Sequence, residues 1–451
     1  MKKEISETKN AEKMFVELIR YKRIININMV RVFFVCLISV SLLGLMPFMH
    51  PTVSLTEKRE LHKFPKFTFS ALLSGDYFDN IGLWFSDTFP LRDSFVGINA
   101  KITGLFGIND VEIHGDVIPA DAGPEKSDNE ETVTNAGSEP PAPVLEIEKI
   151  GAMAIIGNTG YEYYNFNSET ADMYAAAVSS AADALSGKCR VFNTVVPTSA
   201  AITLDDNIVS QMNMSDQKAA IDYIYSKISN NVVCVNPFGI LKEHKDEYLY
   251  FRTDHHWTAH AAYYSYKELM KAAGKDAADL SVFKEFVFDG FLGTFYTNSN
   301  MSAKLGATPD TVYAYEPPGI EYIHTFEVGY EKDYHIVSDA NKLTESEKYL
   351  TFICGDHPLG VITNEQITDN SACLIIKESY GNPLAAYFTQ NYHTVYVADI
   401  RKIKSVYGGT LDSFVTDYGV NDVFIVNNIS ATRNKQITDC LTDFIGITRT
   451  P

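Results

Sequence analysis

The segment FRTDHHWTAHAAYY, Phe251 to Tyr264, sets Asp254, His255, His256 and Trp257 side by side just before an Ala- and Tyr-rich helical pattern that Thr258 is placed to cap. In extended backbone, a carboxylate two residues from an imidazole can share its side of the chain. Asp254 can then hydrogen-bond and orient His256, as a base and its orienting acid require. A histidine held by an aspartate is equally common as plain structure, so the pair gains meaning from a third group. ACLIIKESYGNPLAAYF, Ala372 to Phe388, offers one: a buried-strand pattern ends at Glu378-Ser379-Tyr380-Gly381-Asn382, and Pro383 opens a helix. Pro suits a first helical turn because the amide hydrogen it lacks would be unpaired there. Ser379 then lies in a strand-to-helix turn with backbone N–H groups near an oxyanion position. This resembles the geometry of a nucleophile elbow without the G-x-S-x-G spelling, and an ordinary turn serine is its bland alternative. Nucleophile, base and orienting acid need meet only in space, so the two segments together suggest acyl transfer.

Metal chemistry is the rival use of the same residues. His255, His256, His260 and His357 with Asp254 and Asp356 offer imidazole and carboxylate ligands, but no thiolate spacing and no H-E-x-x-H glutamate accompanies them. The six cysteines lie far apart and read as buried free thiols, with no disulfide required. The 26 Tyr and 27 Phe also admit a non-catalytic carbohydrate-binding surface, which would tolerate loss of Ser379. A third class is a scaffold for an envelope assembly. Trp257 reads as a core or pocket-wall aromatic rather than a stacking platform, and His255 as a neighbour that packs or touches substrate.

The elements that must position these groups follow an α/β pattern. Strand candidates are residues 152–157, 190–197, 231–236, 349–354, 372–377, 393–399 and 422–428, and helix candidates are 168–185, 216–229, 258–273, 383–391, 411–418 and 435–444. Short β-branched runs separated by amphipathic helices predict a mostly parallel sheet covered on both faces, with chemistry in loops at the carboxyl ends of strands.

Chain length, 451 residues, and composition, 45% hydrophobic and 21% charged, describe a globular protein. A net charge of -19 argues against nucleic acid as a partner. VFFVCLISVSLLGLMPFM, residues 32–49, is uncharged and long enough to cross a bilayer as a helix. Lys2, Lys3, Lys9, Lys13, Arg20, Lys22, Arg23 and Arg31 precede it and outweigh Glu4, Glu7, Glu12 and Glu17, which puts residues 1–31 in the cytoplasm as a basic tail. An uncleaved single-pass anchor in the cell membrane, with everything after about residue 50 outside, is the expectation. Residues 50–118 read as a lead-in packed on the main domain, with a helix-like FSDTFPLRD from Phe85 to Asp93. Residues 119–148, rich in Pro, Gly, Ser, Asn and acid, read as a linker or long loop, and 149–451 as the α/β domain.

TDHHWT resembles the signature of the DHHW proteins, extracytoplasmic bacterial proteins related to the alginate O-acetyltransferase proteins of the SGNH hydrolase superfamily. Supporting matches are LTEKRELHKFPKF, FSDTFPLRD, GDHPL at Gly355 to Leu359, KESYGN around Ser379, and VADIRKI at Val397 to Ile403. The resemblance runs from about residue 50 to the end. It implies an SGNH-like three-layer α/β/α sandwich behind one transmembrane helix. It also implies a Ser-His-Asp triad of Ser379, His256 and Asp254, with no metal or organic cofactor required. The related acetyltransferases commonly carry Gly-Asp-Ser at the nucleophile, where this chain has Lys377 and Glu378 before Ser379. Asn382 and the backbone of Ser379 and Tyr380 are oxyanion candidates; His255, Trp257 and Arg401 are substrate candidates, with an Arg401–Asp399 pair as the plainer reading of the last. The implied activity is O-acetyl transfer or acetyl-ester cleavage on an envelope or exported polysaccharide, with a membrane acyltransferase as the implied source of acetyl groups.

Overall fold

The computed structural model describes residues 152–446 without a break, together with 76–90, 111–114 and scattered positions between 31 and 72. The expected membrane segment at 32–49, nearly all of the tail before it, and the acidic stretch 119–148 lie outside the described residues. Among the described residues no helix is long and apolar enough to cross a membrane.

Two units make up the chain, Met1–Val96 and Gly97–Pro451. In the first, a helix spans Asp76–Asp87 and stops at the turn before Pro90. Of the segment read as helix-like from Phe85 to Asp93, Phe85–Asp87 is this helix's last turn, and residues 91–93 lie outside the described residues. The Thr88 hydroxyl closes it by donating to the Trp84 carbonyl at 2.7 Å, and His50 stacks on Trp84 at 4.4 Å between ring centroids.

The second unit is mixed α/β, built on an eight-stranded sheet. Its strands are β1 (Arg190–Val196), β2 (Val232–Cys234), β3 (Tyr322–Glu327), β4 (Tyr330–His335), β5 (Leu359–Thr363), β6 (Ala372–Lys377), β7 (Thr394–Asp399) and β8 (Asp422–Asn428). The spatial order is β4-β3-β5-β7-β6-β8-β1-β2. The five strands from β7 to β2 run parallel, and β5, β3 and β4 extend that edge antiparallel. The sheet is therefore mixed: the polar, partly exposed β3–β4 hairpin carries no continuous apolar run to betray it in the sequence. Counted from β6, the parallel strands have the doubly wound order 2-1-3-4-5, with the chain entering at the fourth.

Alternate residues of the central strands face opposite layers, as a pleated strand buried on both sides demands. Cys373, Ile375, Phe424 and Val426 join the core formed with the helices Ala259–Ala272 and Leu384–Phe388. Leu374, Ile376, Val423 and Ile425 join the opposite core, formed with Ser168–Ala184, Gln217–Lys227, Leu411–Tyr418 and Lys435–Ile445.

Two expected strands behave differently. Met153–Ile156 is extended but belongs to a separate antiparallel sheet with Val111–His114 and Thr159–Glu162. Residues 349–354 form no strand: Lys348–Thr351 is a 3-10 turn, and Ile353 and Cys354 have left-handed φ of 49° and 59°. The apolar run suits burial, but the backbone turns so that Tyr349 reaches the Ser379 turn. The five described cysteines are free thiols.

Candidate active site

Residues 250–257 form a closed loop at the entrance to the helix Ala259–Ala272. Tyr250 and Trp257 pair as an antiparallel bridge, and the Phe251 amide donates to the His256 carbonyl at 3.3 Å. Asp310, fully buried, organises the loop from outside: its carboxylate accepts the amides of Arg252 at 3.0 Å and Thr253 at 2.7 Å and the Tyr248 hydroxyl at 2.5 Å. Thr258 occupies the helix N-cap position, but its hydroxyl donates to the Tyr248 carbonyl at 2.8 Å and makes no cap bond.

The loop delivers Asp254 and His256 to one place. Asp254 Oδ1 accepts the His256 Nδ1–H at 2.6 Å and the His256 amide at 2.9 Å, while Oδ2 accepts the amide and hydroxyl of Thr294 at 2.8 and 3.0 Å. Burial opposes ionisation of Asp254, but His256, then His255 and the Thr294 amide, outweigh it and hold the carboxyl well below the usual range. It is an acceptor for the imidazole throughout the neutral range.

On the far side of the ring, His256 Nε2 lies 2.8 Å from Ser379 Oγ. Ser379 lies two residues past the end of β6, in a 3-10 turn of Ser379–Gly381 that precedes the short helix Leu384–Phe388. This helix is shorter than the expected 383–391. Gly381 is required by the turn: a β-carbon there would sit 2.4 Å from Lys377 Cβ. With Nδ1–H donated to Asp254, the assigned tautomer leaves Nε2 to accept the Ser379 proton. The Tyr349 ring stacks on His256 at 3.8 Å, and its hydroxyl donates to the Ser379 carbonyl at 2.9 Å. One residue thus touches both the base and the nucleophile's turn.

The remaining candidates hold the frame. His255 Nδ1 is 2.7 Å from the Thr294 hydroxyl. Trp257 is fully buried and donates its indole N–H to the Tyr380 carbonyl at 2.9 Å. Tyr380 is fully buried, its hydroxyl bonded to the His255 carbonyl and its amide donating to Glu378 Oε2 at 3.0 Å. Trp257 and Tyr380 therefore face protein, not a substrate, and the Tyr380 amide expected for an oxyanion is already engaged. Asn382 donates to Asp356 Oδ1 at 3.0 Å. Arg401 pairs with Asp399 at 2.6 Å and Asp356 at 2.8 Å, so its plainer reading, an arginine held by Asp399, describes its place. Lys377, fully buried, completes this network at 2.7 Å from Asp356 and 3.6 Å from Asp399. Residues of GDHPL, KESYGN and VADIRKI thus meet beneath the serine turn.

Of the metal-ligand candidates, Asp254, His255 and His256 lie close enough to share an ion. Both His256 nitrogens, however, are committed within the Asp254–His256–Ser379 chain, so an ion there would have to break it. His260 is bonded to the Tyr315 hydroxyl at 2.7 Å, and His357 to Glu327 at 2.5 Å and the Ile353 carbonyl at 2.8 Å.

Thr294, Tyr349, Asp310 and Gly293 escaped the reading of the sequence. Each acts across 30 or more residues, and no local spacing marks any of them.

No curated protein matches the chain in sequence. Among solved structures, a DHHW family protein from Eubacterium siraeum aligns over 67% of this chain and 98% of its own, at 25% identity and a TM-score of 0.57. PatB1 of Bacillus cereus aligns over 63% of this chain and 96% of its own, at 15% identity and a TM-score of 0.51, a likeness of fold. The O-acetyltransferase domain of Pseudomonas putida AlgJ aligns over 61% of this chain and 91% of its own, at 13% identity and a TM-score of 0.34. Residues 57–140 and 135–398 match the family model described as DHHW protein. Covering well over half the sequence and the signature Asp254-His255-His256-Trp257, that match shows that the chain belongs to the DHHW family.

Proposed function

We propose that this protein is an SGNH-like serine acyltransferase or esterase, anchored by residues 32–49 with its α/β domain outside the cell, that acts on acetyl esters of an envelope or exported polysaccharide. The observation that carries the reading is the continuous bond chain from Asp254 through His256 to Ser379, at 2.6 and 2.8 Å. Its position supports it: Ser379 follows β6 at the carboxyl edge of the parallel strands, at the reversal of strand order where α/β proteins bind ligands. Sheet order and two covered faces support the SGNH-like three-layer reading.

In the mechanism, His256 takes the Ser379 proton as Oγ attacks the ester carbonyl, and ionised Asp254 stabilises the resulting imidazolium. The tetrahedral intermediate collapses with loss of the sugar alkoxide, which receives the proton from His256. The acetyl-serine then passes its acyl group to another sugar hydroxyl or to water, with His256 again as base. A membrane acyltransferase supplies the acetyl group if transfer is the physiological direction. The polysaccharide and acetyl assignments rest on the family resemblance of the motifs.

The test is cleavage of an acetyl ester such as p-nitrophenyl acetate by the wild type, Ser379→Ala and His256→Ala, with and without EDTA. Activity lost in both variants and indifferent to chelator is expected. Activity indifferent to Ser379 overturns the reading, and its loss with EDTA would shift the assignment to metal chemistry.

A further inference from the structure

We propose that Glu378 is a positioning residue for the nucleophile, an inference that rests on Ser379 being that nucleophile. The residue is 1% exposed, and its two oxygens bond different segments, the end of β8 and the turn after β6. Oε1 accepts the Asn428 amide at 2.8 Å, while Oε2 accepts the Tyr380 amide at 3.0 Å and the Ser379 hydroxyl at 3.2 Å. β6 and β8 are parallel neighbours with Lys377 opposite Val426, so Glu378 ties the turn after one strand to the end of the next. The tie crosses the reversal point of the strand order.

A carboxylate taking two backbone N–H groups forms charge-assisted bonds, stronger than neutral ones, and fixes the backbone that carries Ser379. The Ser379 hydroxyl has one proton and two acceptors in reach, His256 Nε2 at 2.8 Å and Glu378 Oε2 at 3.2 Å. Contacts to both restrict the rotation of Oγ before any substrate arrives. The same carboxylate places negative charge near His256 and favours the imidazolium formed when Oγ loses its proton. Asp254 and His255 face that imidazole from the 250–257 loop, Tyr349 covers its ring, and Tyr174 faces Glu378 from the helix Ser168–Ala184. Lys377 and Arg401, the nearby cations, are bound to Asp356 and Asp399.

The test is the rate at which a sulfonyl fluoride labels the full-length protein. In that reaction Ser379 Oγ forms the O–S bond, fluoride leaves, and the Oγ proton passes to His256. Wild type, Glu378→Gln, Glu378→Asp and Ser379→Ala are compared across about pH 5 to 9, where imidazole titrates, with the labelled residue located by mass spectrometry. Glu378→Gln is expected to keep a cooperative melt, lowered by the buried amide it leaves unpaired, and to label at least about tenfold more slowly, the size expected for losing a hydrogen bond to a charged group. Its rate should also reach half-maximum at lower pH, because the imidazolium has lost an anionic neighbour. Glu378→Asp keeps the charge with a shorter reach and should recover the midpoint and part of the rate. Glu378→Gln labelling at the wild-type rate and midpoint overturns the inference while leaving Ser379 as nucleophile. If Glu378→Gln does not fold, Glu378→Asp decides, and a wild-type rate in it overturns the inference. Labelling of the wild type away from Ser379 overturns the nucleophile and this inference with it.

Discussion

Gly293 leaves the space that Asp254 occupies: a β-carbon at position 293 would lie 2.2 Å from Asp254 Oδ2 and 2.3 Å from its Cβ. The glycine adopts ordinary extended backbone, so its need is for close approach and not for unusual torsion. Gly293→Ala is therefore expected to push the carboxylate off His256 while the fold persists. A misplacement of about 1 Å in a catalytic group costs on the order of 100-fold in rate. Ester cleavage should fall by about that factor, with a circular dichroism spectrum like that of the wild type.

Replacing the acid itself isolates its role. Asp254→Asn retains shape but offers an N–H where the carboxylate accepts either His256 Nδ1 or Thr294, and so favours the wrong imidazole tautomer. In serine hydrolases such a change costs on the order of 10⁴ in kcat. A comparable fall is expected here, with little change in KM. A loss of less than about tenfold would mean that Asp254 is structural.

Thr294 joins Asp254 to His255, donating its hydroxyl to the first at 3.0 Å and standing 2.7 Å from Nδ1 of the second. Thr294→Val removes both contacts at nearly constant volume and leaves the amide bond to Asp254. The expected cost is about 1–2 kcal/mol of transition-state stabilisation, roughly five- to thirtyfold in kcat/KM. Thr294→Ser should restore most of it, which a mere packing defect would not allow.

What the sequence revealed follows the range of the interactions. The Asp254–His256 pair was legible because its parts are two residues apart, and the Ser379 turn because Pro383 and Gly381 punctuate the end of an apolar strand. β1, β6, β7 and β8 were legible because strands buried on both faces are apolar throughout. β3 and β4 were not, since polar residues interrupt both: His324 in β3, and Glu331, Lys332 and Asp333 in β4, the exposed edge strand. Residues 349–354 misled because an apolar, aromatic run signals burial without fixing the backbone, and here burial serves the stack of Tyr349 on His256. Arg401 was legible only as a pair with Asp399. That Asp356 draws Lys377, Asn382 and Arg401 together depends on strands distant in sequence.

Asp356 makes that network a determinant of acid stability. Burial opposes its ionisation, but Lys377 and Arg401 beside it, with the Asn382 amide, hold the carboxyl well below its ordinary value. A folded-state value depressed in this way contributes stability that is complete above the unfolded value of about 3.9 and is lost as pH falls through the folded one. Asp356→Asn removes the contribution and leaves buried Lys377 with Asp399 at 3.6 Å as its remaining carboxylate in the network. Breaking a buried pair from one side costs about 3 kcal/mol or more at neutral pH. Chemical denaturation should therefore show the variant clearly weaker near pH 7. The gap to the wild type should narrow steadily below about pH 4, because the unfolded wild type then binds at Asp356 a proton that the folded protein still excludes, a linkage the variant lacks. A gap that stayed constant into acid would mean that Asp356 is neutral in the folded protein, and that the Lys377 and Arg401 contacts are not ion pairs.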